Sequence, residues 1–467
     1  MYTTTKPQTV GELRSSGYQV LPVKEEMRKN LVARLQQNEP LFPGIIGYEQ
    51  TVIPQIENAI LSGQDIIFLG ERGQAKTRIA RSLINLLDEE IPVVAGCEIN
   101  DNPFDPTCAR CREMAAELGD KLPIAWMSRE ARYGEKLATP DITIADLIGE
   151  IDPIKVAEGR YLSDEQTIHY GLVPRTNRGI FVINELPDLA ERIQVGLLNI
   201  LEERDVQIRG HKVRLPLDVY LVASANPEDY TNRGRIITPL KDRVGSQIRT
   251  HYPRTIEHEI SIMEQERTHY KIQGVELTVP EYMKEIVAEL THLARKHPDI
   301  SQRSGVSVRV SVSNYENLLS NAVKRAIRLG EKQAAPRVSD LEALVTSTAG
   351  KIEIEAVGDA REDKVITKLL QGAVSAVFNR HFTVQEFDDL LTRFHNGMNL
   401  EVSDSMPSME YVHQASEVKA LKNAVAKLGA QGNPAVAASA VEFVLEGLHL
   451  NRRLNKDRSA GGVRYHR

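Results

Sequence analysis

The chain has 467 residues, enough for two to four domains with full hydrophobic cores. Hydrophobic residues make up 41% and charged residues 26%, and the net charge is −6, which excludes the basic excess of a general nucleic-acid binder. No apolar run approaches the ~18 residues that span a bilayer, and the N-terminal stretch lacks a secretory apolar core. Three cysteines cannot all pair within one chain, so a reducing, cytoplasmic location is expected.

Residues 1–40 read as a polar, partly helical lead-in. Phe42 to Gln50 then opens an amphipathic helix through Ile53, Ile56 and Ile60. The apolar run Asp65-Ile-Ile-Phe-Leu69 reads as a buried strand. Directly after it stand Gly70-Glu71-Arg72-Gly73-Gln74-Ala75-Lys76-Thr77, which match the phosphate loop G-x-x-x-x-G-K-[ST] at every fixed position except Ala75. A helical pattern with Ile79, Leu83, Leu86 and Leu87 on one side follows, and strand, loop and helix are the context this motif requires. The loop amides and the helix dipole would face the β- and γ-phosphates of a nucleoside triphosphate. Lys76 would add a point charge there, and the Thr77 hydroxyl would ligate Mg²⁺. Ala75 is the smallest departure from glycine, at a place where the helix is starting and alanine is favourable.

Ile91 to Ala95 looks like the next strand, and Gly179 to Ile183 the third. Connections are normally far shorter than the interval 97–178, so inserted structure is expected there. Inside it, Ile144 to Asp152, ahead of Gly159-Arg160-Tyr161, reads as a projecting hairpin. Cys97, Cys108 and Cys111 have the spacing C-x₁₀-C-x₂-C, with Asp101 and Asp105 between them. A zinc site takes four ligands and no histidine precedes His169, so these read as structural cysteines of a loop. Zinc is the alternative, if folding brings up a fourth ligand.

The third strand ends in Asn184-Glu185, where a nucleoside triphosphatase needs acidic groups. Glu185 is the candidate general base. Asn184 can hold Mg²⁺ only through water, without the charge of the usual aspartate. Val206 to Leu215 alternates about Gly210, a hairpin signal. The fourth strand, from Val219, ends at Asn226, whose amide could orient the attacking water. Ser246 to Tyr252 reads as the fifth. Continuous apolar strands alternating with helices predict an α/β domain with a parallel five-stranded sheet between helical layers. Residues 41–254 would form it, followed by a helical lid (255–350) and a helical C-terminal region (351–467). The basic residues from Asn451 onward read as a solvated, frayed tail, with docking on an acidic partner as the alternative.

The order of these motifs resembles the AAA+ ATPases, specifically the ATPase subunit of magnesium chelatase and its MoxR-type relatives. That family writes Asn-Pro-Glu and then Leu-x-Asp-Arg-Phe; this chain has Asn226-Pro227-Glu228 and then Leu240-Lys241-Asp242-Arg243-Val244. Gly171-Leu172-Val173-Pro174, and Leu197 to Glu203 followed by the hairpin, also match, and the likeness covers about residues 40–345. It implies a P-loop AAA+ fold with two β-hairpin inserts facing a central pore or a partner. It also implies ATP and Mg²⁺ as cofactors, with Ile46 and Gly47 joining residues 70–77 in the nucleotide-binding set.

By position, Arg243 would be the arginine finger reaching a neighbour's γ-phosphate, with Arg233, Arg235 and Arg249 as rivals. Arg309, in Val306 to Ser311, would be the second sensor, with Arg303 as rival. The implied activity is ATP hydrolysis at the subunit interfaces of a ring, a hexamer. Its work would be to remodel a partner protein or assist metal-ion insertion, beside a von Willebrand A-type partner and without membrane or nucleic acid. Because Ala75 and Asn184 both depart from the motif, a non-hydrolysing switch is the alternative. A sigma-54-type transcriptional activator ranks third, since the inserts carry no Gly-Ala-Phe-Thr-Gly-Ala loop.

Overall fold

The structure is a computed structural model that describes residues 6–157, 165–202, 205–207, 214–226, 235–269, 271–301, 304–354, 359–459 and 462–467. The chain divides into two compact units, Met1–His251 and Tyr252–Arg467. Among the described residues no helix is long and apolar enough to cross a membrane.

In the first unit five strands lie side by side: β1 (Ile66–Leu69), β2 (Tyr133–Leu137), β3 (Gly179–Asn184), β4 (Val219–Ala225) and β5 (Ser246–Arg249). Their order is β5-β1-β4-β3-β2, and every neighbouring pair is parallel. Successive side chains leave opposite faces of a strand, so each apolar run feeds two cores. Ile66, Phe68, Ile180, Val182, Tyr220 and Val222 face one of them. There they meet Met27 and Leu31 of helix Val23–Gln36, Ile56 and Ile60 of helix Ile53–Leu61, and Ile79. Ile67, Phe181, Ile183, Leu221 and Ala223 face the other, against Ile193, Leu197 and Ile200 of helix Glu191–Glu202. The residues before position 40 thus contribute directly to the core.

The strand set departs from the sequence reading at one place. Glu90–Val94 pairs antiparallel with Ile124–Ser128 and stands outside the parallel sheet, whose fifth member is β2. As an edge strand β2 has only β3 beside it, and its Tyr-Gly-Glu-Lys-Leu sequence carries no apolar run. The two inserts are hairpin-paired. Gly149–Ile151 joins Ile168–Tyr170, and Asp205–Gln207 joins Arg214–Pro216; residues 158–164 and 208–213 lie outside the described residues.

A buried ion pair ties helix Val23–Gln36 to the sheet. Arg132, which immediately precedes β2, donates from Nη1 to Glu26 Oε1 at 2.7 Å, from Nη2 to Glu26 Oε2 at 2.5 Å, and from Nε to Arg178 O at 2.7 Å. The two side chains are 1% and 4% exposed.

The second unit is mainly helical. Helices Glu281–Ala294, Val308–Leu329, Asp359–His381 and Pro434–Leu450 share one large apolar core. Its end is not frayed, which corrects the sequence reading. Asn455–Ser459 and Gly462–His466 form a hairpin that extends to Leu400–Val402 as a three-stranded antiparallel sheet. Lys456 and Tyr465 both donate to Glu446, Arg464 pairs with Glu401, and Arg458 pairs with Glu342, so these basic residues are matched within the unit.

Replacing Glu26 by alanine strands a guanidinium in the interior, and loss of one partner of such a pair costs about 3–5 kcal/mol. Urea unfolding of Glu26→Ala should show that drop, with a smaller one for the paired replacement Glu26→Gln/Arg132→Met.

Candidate nucleotide site

In a parallel sheet the carboxyl ends of all strands fall on one edge, and the polar residues that end β1, β3 and β4 gather there. Leu69 is in register with Ala225 and, across β1, with Arg249, so Gly70, Asn226 and Thr250 emerge side by side. A Cβ on Gly70 would lie 1.9 Å from Thr250 Oγ1 and 2.3 Å from Gln74 Oε1, so only glycine lets the loop turn here. Gln74 Oε1 accepts from Glu71 N at 3.1 Å and Thr250 Oγ1 at 2.7 Å, which fixes the loop from inside.

Tyr48 braces it from outside, donating to Gln74 O at 3.0 Å and His251 O at 2.7 Å. Burial pushes the Tyr48 phenol up to about 12, so it remains a donor at neutral pH. Ile46 and Gly47 immediately precede this phenol, and Gly47 takes the left-handed conformation with φ of 83°.

Ala75 lies in the left-handed region, φ 57° and ψ 12°, as the residue capping helix Lys76–Ser82. The sequence reading placed it in a starting helix; it is instead the last loop residue, where the motif's glycine is favoured because a Cβ crowds the backbone.

Three side chains form a chain of hydrogen bonds in front of the loop. Lys76, 7% exposed, donates to Gly70 O, to Glu71 O at 2.9 Å and to Asn226 Oδ1 at 2.7 Å. The same amide donates from Nδ2 to Glu185 Oε2 at 2.8 Å. One asparagine therefore holds the ammonium at one end and the carboxylate at the other, in the only orientation that satisfies both. Glu185 has φ of 55°, so the backbone turns left-handed at the end of β3, and its amide donates to Ser224 Oγ at 3.2 Å.

Beside this chain, Thr77 Oγ1 donates to Asn184 Oδ1 at 3.4 Å, and Ser224 Oγ donates to the same oxygen at 3.2 Å. Asn184 Nδ2 in turn donates to Glu135 Oε1 at 2.6 Å. Sequence reasoning did not find Glu135, because it lies on the unrecognised edge strand, 49 residues away in the chain. It also accepts from Arg81 Nε at 2.7 Å, Arg81 Nη2 at 3.0 Å and Tyr133 OH at 3.1 Å. Burial pushes the Glu135 carboxyl up, but the hydrogen bonds and charge of Arg81 and the Tyr133 hydrogen bond outweigh it, and the net direction is down. An ionised carboxylate thus stands one side chain away from Asn184. An aspartate at 184 would set two like charges within hydrogen-bond distance, which explains the amide there. Thr77, Asn184 and Glu135 offer oxygen ligands alone, the set that suits a hard cation such as Mg²⁺.

Arg243 ends helix Thr238–Arg243 and donates to Pro239 O at 3.2 Å. Arg235 is exposed with Glu191 at 3.6 Å, and Arg249 is exposed at the end of β5. Arg309 belongs to the second unit, exposed on the first turn of helix Val308–Leu329, where its amide donates to Ser307 Oγ at 3.1 Å. Arg233 and Arg303 lie outside the described residues.

Residues 156–244 match the sigma-54 interaction domain. The chain is 26% identical over 339 residues to the magnesium-chelatase subunit ChlI of Nephroselmis olivacea, covering 67% of this chain and 88% of that one. It is 27% identical over 226 residues to the magnesium-chelatase 38 kDa subunit of Cereibacter sphaeroides, covering 48% and 62%. The chloroplastic ChlI of rice (Oryza sativa subsp. japonica) matches at 27% over 249 residues, spanning 49% of this chain and 54% of its own length. Among solved structures, a complex of magnesium-chelatase subunits BchI and BchD gives a TM-score of 0.37 at 18% identity, covering 69% of this chain and 98% of that chain.

Phosphate loop, carboxylate-bearing third strand and asparagine-ended fourth strand on one parallel sheet make the arrangement of a P-loop nucleotide site, and in this the chain resembles the AAA+ ATPases. Within that class, the chain resembles the ATPase subunit of magnesium chelatase.

A glycine at position 75 removes the left-handed alanine penalty of about 1 kcal/mol. Thermal denaturation without nucleotide should therefore find Ala75→Gly equal to or more stable than the parent, whereas Gly70→Ala should be clearly destabilised.

Proposed function

We propose that the chain is an ATP-driven motor that assembles as a homo-oligomeric ring, a hexamer, and remodels a partner protein or assists insertion of a metal ion, in the manner of magnesium chelatase. The observation that carries this reading is the shared grip of Asn226 on Lys76 and Glu185, which links the phosphate-binding cation to the candidate base.

Loop residues 70–77 would bind the triphosphate through their amides, and Lys76 would exchange the Gly70 and Glu71 carbonyls for phosphate oxygens. Ile46 and Gly47 would flank the nucleotide. Mg²⁺, when bound, supplies charge neutralisation at the β- and γ-phosphates. Thr77 would hold it directly and Asn184 through water, while Glu135 would return the negative charge that Asn184 lacks. Once Lys76 has moved onto phosphate, Asn226 and Glu185 are left to orient water and accept its proton.

Arg243 would reach the γ-phosphate bound by the neighbouring subunit, and Arg309 would sense the nucleotide from the second unit. A partner of von Willebrand A type and the MoxR-type branch belong to the same proposal. The match over 156–244 supports a sigma-54-type activator as the third reading, although residues 206–215 contain no Gly-Ala-Phe-Thr-Gly-Ala sequence.

Steady-state ATPase assays test the reading. Lys76→Ala should lose nucleotide binding and turnover together. Glu185→Gln should keep binding while kcat falls by about 10²–10⁴-fold, the usual contribution of a general base. Arg243→Ala should lower turnover only in the assembled ring. No turnover in the parent, with binding intact, would instead establish a nucleotide switch. The charge assigned to Glu135 has its own measure: Glu135→Gln should raise the Mg²⁺ concentration for half-maximal activity by about tenfold, as loss of a group supporting a metal site does.

A further inference from the structure

On the second face of the sheet, the insert between Val94 and Ile124 brings three sulfurs and a carboxylate to one point. Cys97 follows strand Glu90–Val94, Cys108 caps helix Ala109–Leu118, and Cys111 lies in the first turn of that helix. The ligand atoms of Cys97, Asp101, Cys108 and Cys111 all lie within 4.8 Å of one another. From this geometry we infer a structural Zn²⁺ site made by Cys97, Cys108 and Cys111 with Asp101 as the fourth ligand.

Distance supports the assignment first. Tetrahedral zinc, with Zn–S near 2.3 Å and Zn–O near 2.0–2.2 Å, sets its ligand atoms roughly 3.3–3.8 Å apart. The four atoms therefore need to draw in by about 1–1.5 Å at most, within the reach of side-chain rotations. Three thiols select a borderline-soft metal over Mg²⁺ or Ca²⁺, and four converging ligands leave no open coordination position, as in a structural site.

The second argument is Asp101. Its residue is 0% exposed, and among the described residues no Lys, Arg or His forms an ion pair with it. Its carboxylate accepts from Thr107 Oγ1 at 2.6 Å and from Cys108 N at 3.0 Å. An isolated buried carboxylate is costly, and these two bonds orient it without cancelling its charge. The cores of apolar cysteines do not include such a group; a metal accounts for it.

The surroundings match those of a metal-bound thiolate. Asp101 N points at Cys97 Sγ at 3.4 Å and Cys111 N at Cys108 Sγ at 3.4 Å, so backbone amides face two of the sulfurs. Cys97 and Cys108 border a cavity of about 320 Å³ also lined by Arg110 and Lys155, which gives a path for entry and cationic groups beside an anionic centre. Glu98 and Glu165 border the same cavity, and Glu165 is engaged by Ala109 N at 2.9 Å and Arg112 Nη2 at 3.1 Å, but it is the Asp101 carboxylate that lies with the three sulfurs. The metal would pin residues 97–111 into one knuckle and hold the Glu90–Val94/Ile124–Ser128 strand pair, independently of any nucleotide.

Elemental analysis of the full chain, purified without chelator, should find one zinc per chain. Cobalt grown in its place should give the intense visible bands of a tetrahedral cobalt thiolate. Cys97→Ser, at the half-buried position on the loop, should lose the metal. Thr107→Val, which removes only the hydrogen bond to Asp101, should weaken zinc by about 10–100-fold in chelator competition, as supporting groups of metal sites do. Metal-free protein with three freely reactive thiols would overturn the proposal, as would iron in place of zinc or a disulfide among these cysteines in the native protein. Analysis of the unmutated chain keeps the test decisive even if a variant misfolds. Zinc content does not depend on ATP turnover, so failure here leaves the motor reading standing.

Discussion

The parallel pairing of β1 between β4 and β5 is the constraint on which the nucleotide site depends. It fixes Leu69 beside Ala225 and Arg249, so the residue after each strand emerges on one edge of the sheet. Chemistry written in separate places along the chain, at 70–77, 184–185 and 226, becomes adjacent only through this register. A slip of one residue would turn every inward side chain to the wrong face, and the two apolar cores on either side of the sheet forbid it.

Given that edge, the polar groups have few arrangements open to them. Lys76 is buried and must be compensated, and the carbonyls of its own loop together with Asn226 do so. Asn226 has one oxygen and one nitrogen to offer; having given the oxygen to a cation, it has only the nitrogen for Glu185. The base and the cation are therefore coupled through a single rotamer. In the same way the amide of Asn184 separates Thr77 from Glu135, passing a negative charge on β2 toward the loop without placing two carboxylates together.

The most legible parts in the sequence were those written as contiguous signals. The phosphate loop, the buried runs of β1, β3 and β4, the Asn184-Glu185 and Asn226 ends, and the alternation of 206–215 all depend on neighbours in the chain. What the sequence concealed depends on neighbours in space. β2 is an edge strand with a charged sequence, so neither its pairing nor Glu135 leaves a periodic trace. Asp101 stands between cysteines as one acidic residue among several, and only folding distinguishes it from Asp105. The basic C-terminal residues resembled a tail because their partners, Glu342, Glu401 and Glu446, lie 10 to 116 positions away. Ala75 was misread for the opposite reason: its helix propensity is local, but its left-handed backbone is imposed by the turn that Lys76 must make.

Tyr48 has a wider mechanical meaning. Its hydroxyl is fastened both to the carbonyl at the crown of the phosphate loop and to that of His251, the last residue of the first unit. The crown and the exit peptide consequently share one anchoring hydroxyl. One phenol thus ties a carbonyl of the phosphate loop to a carbonyl 177 positions further along the chain.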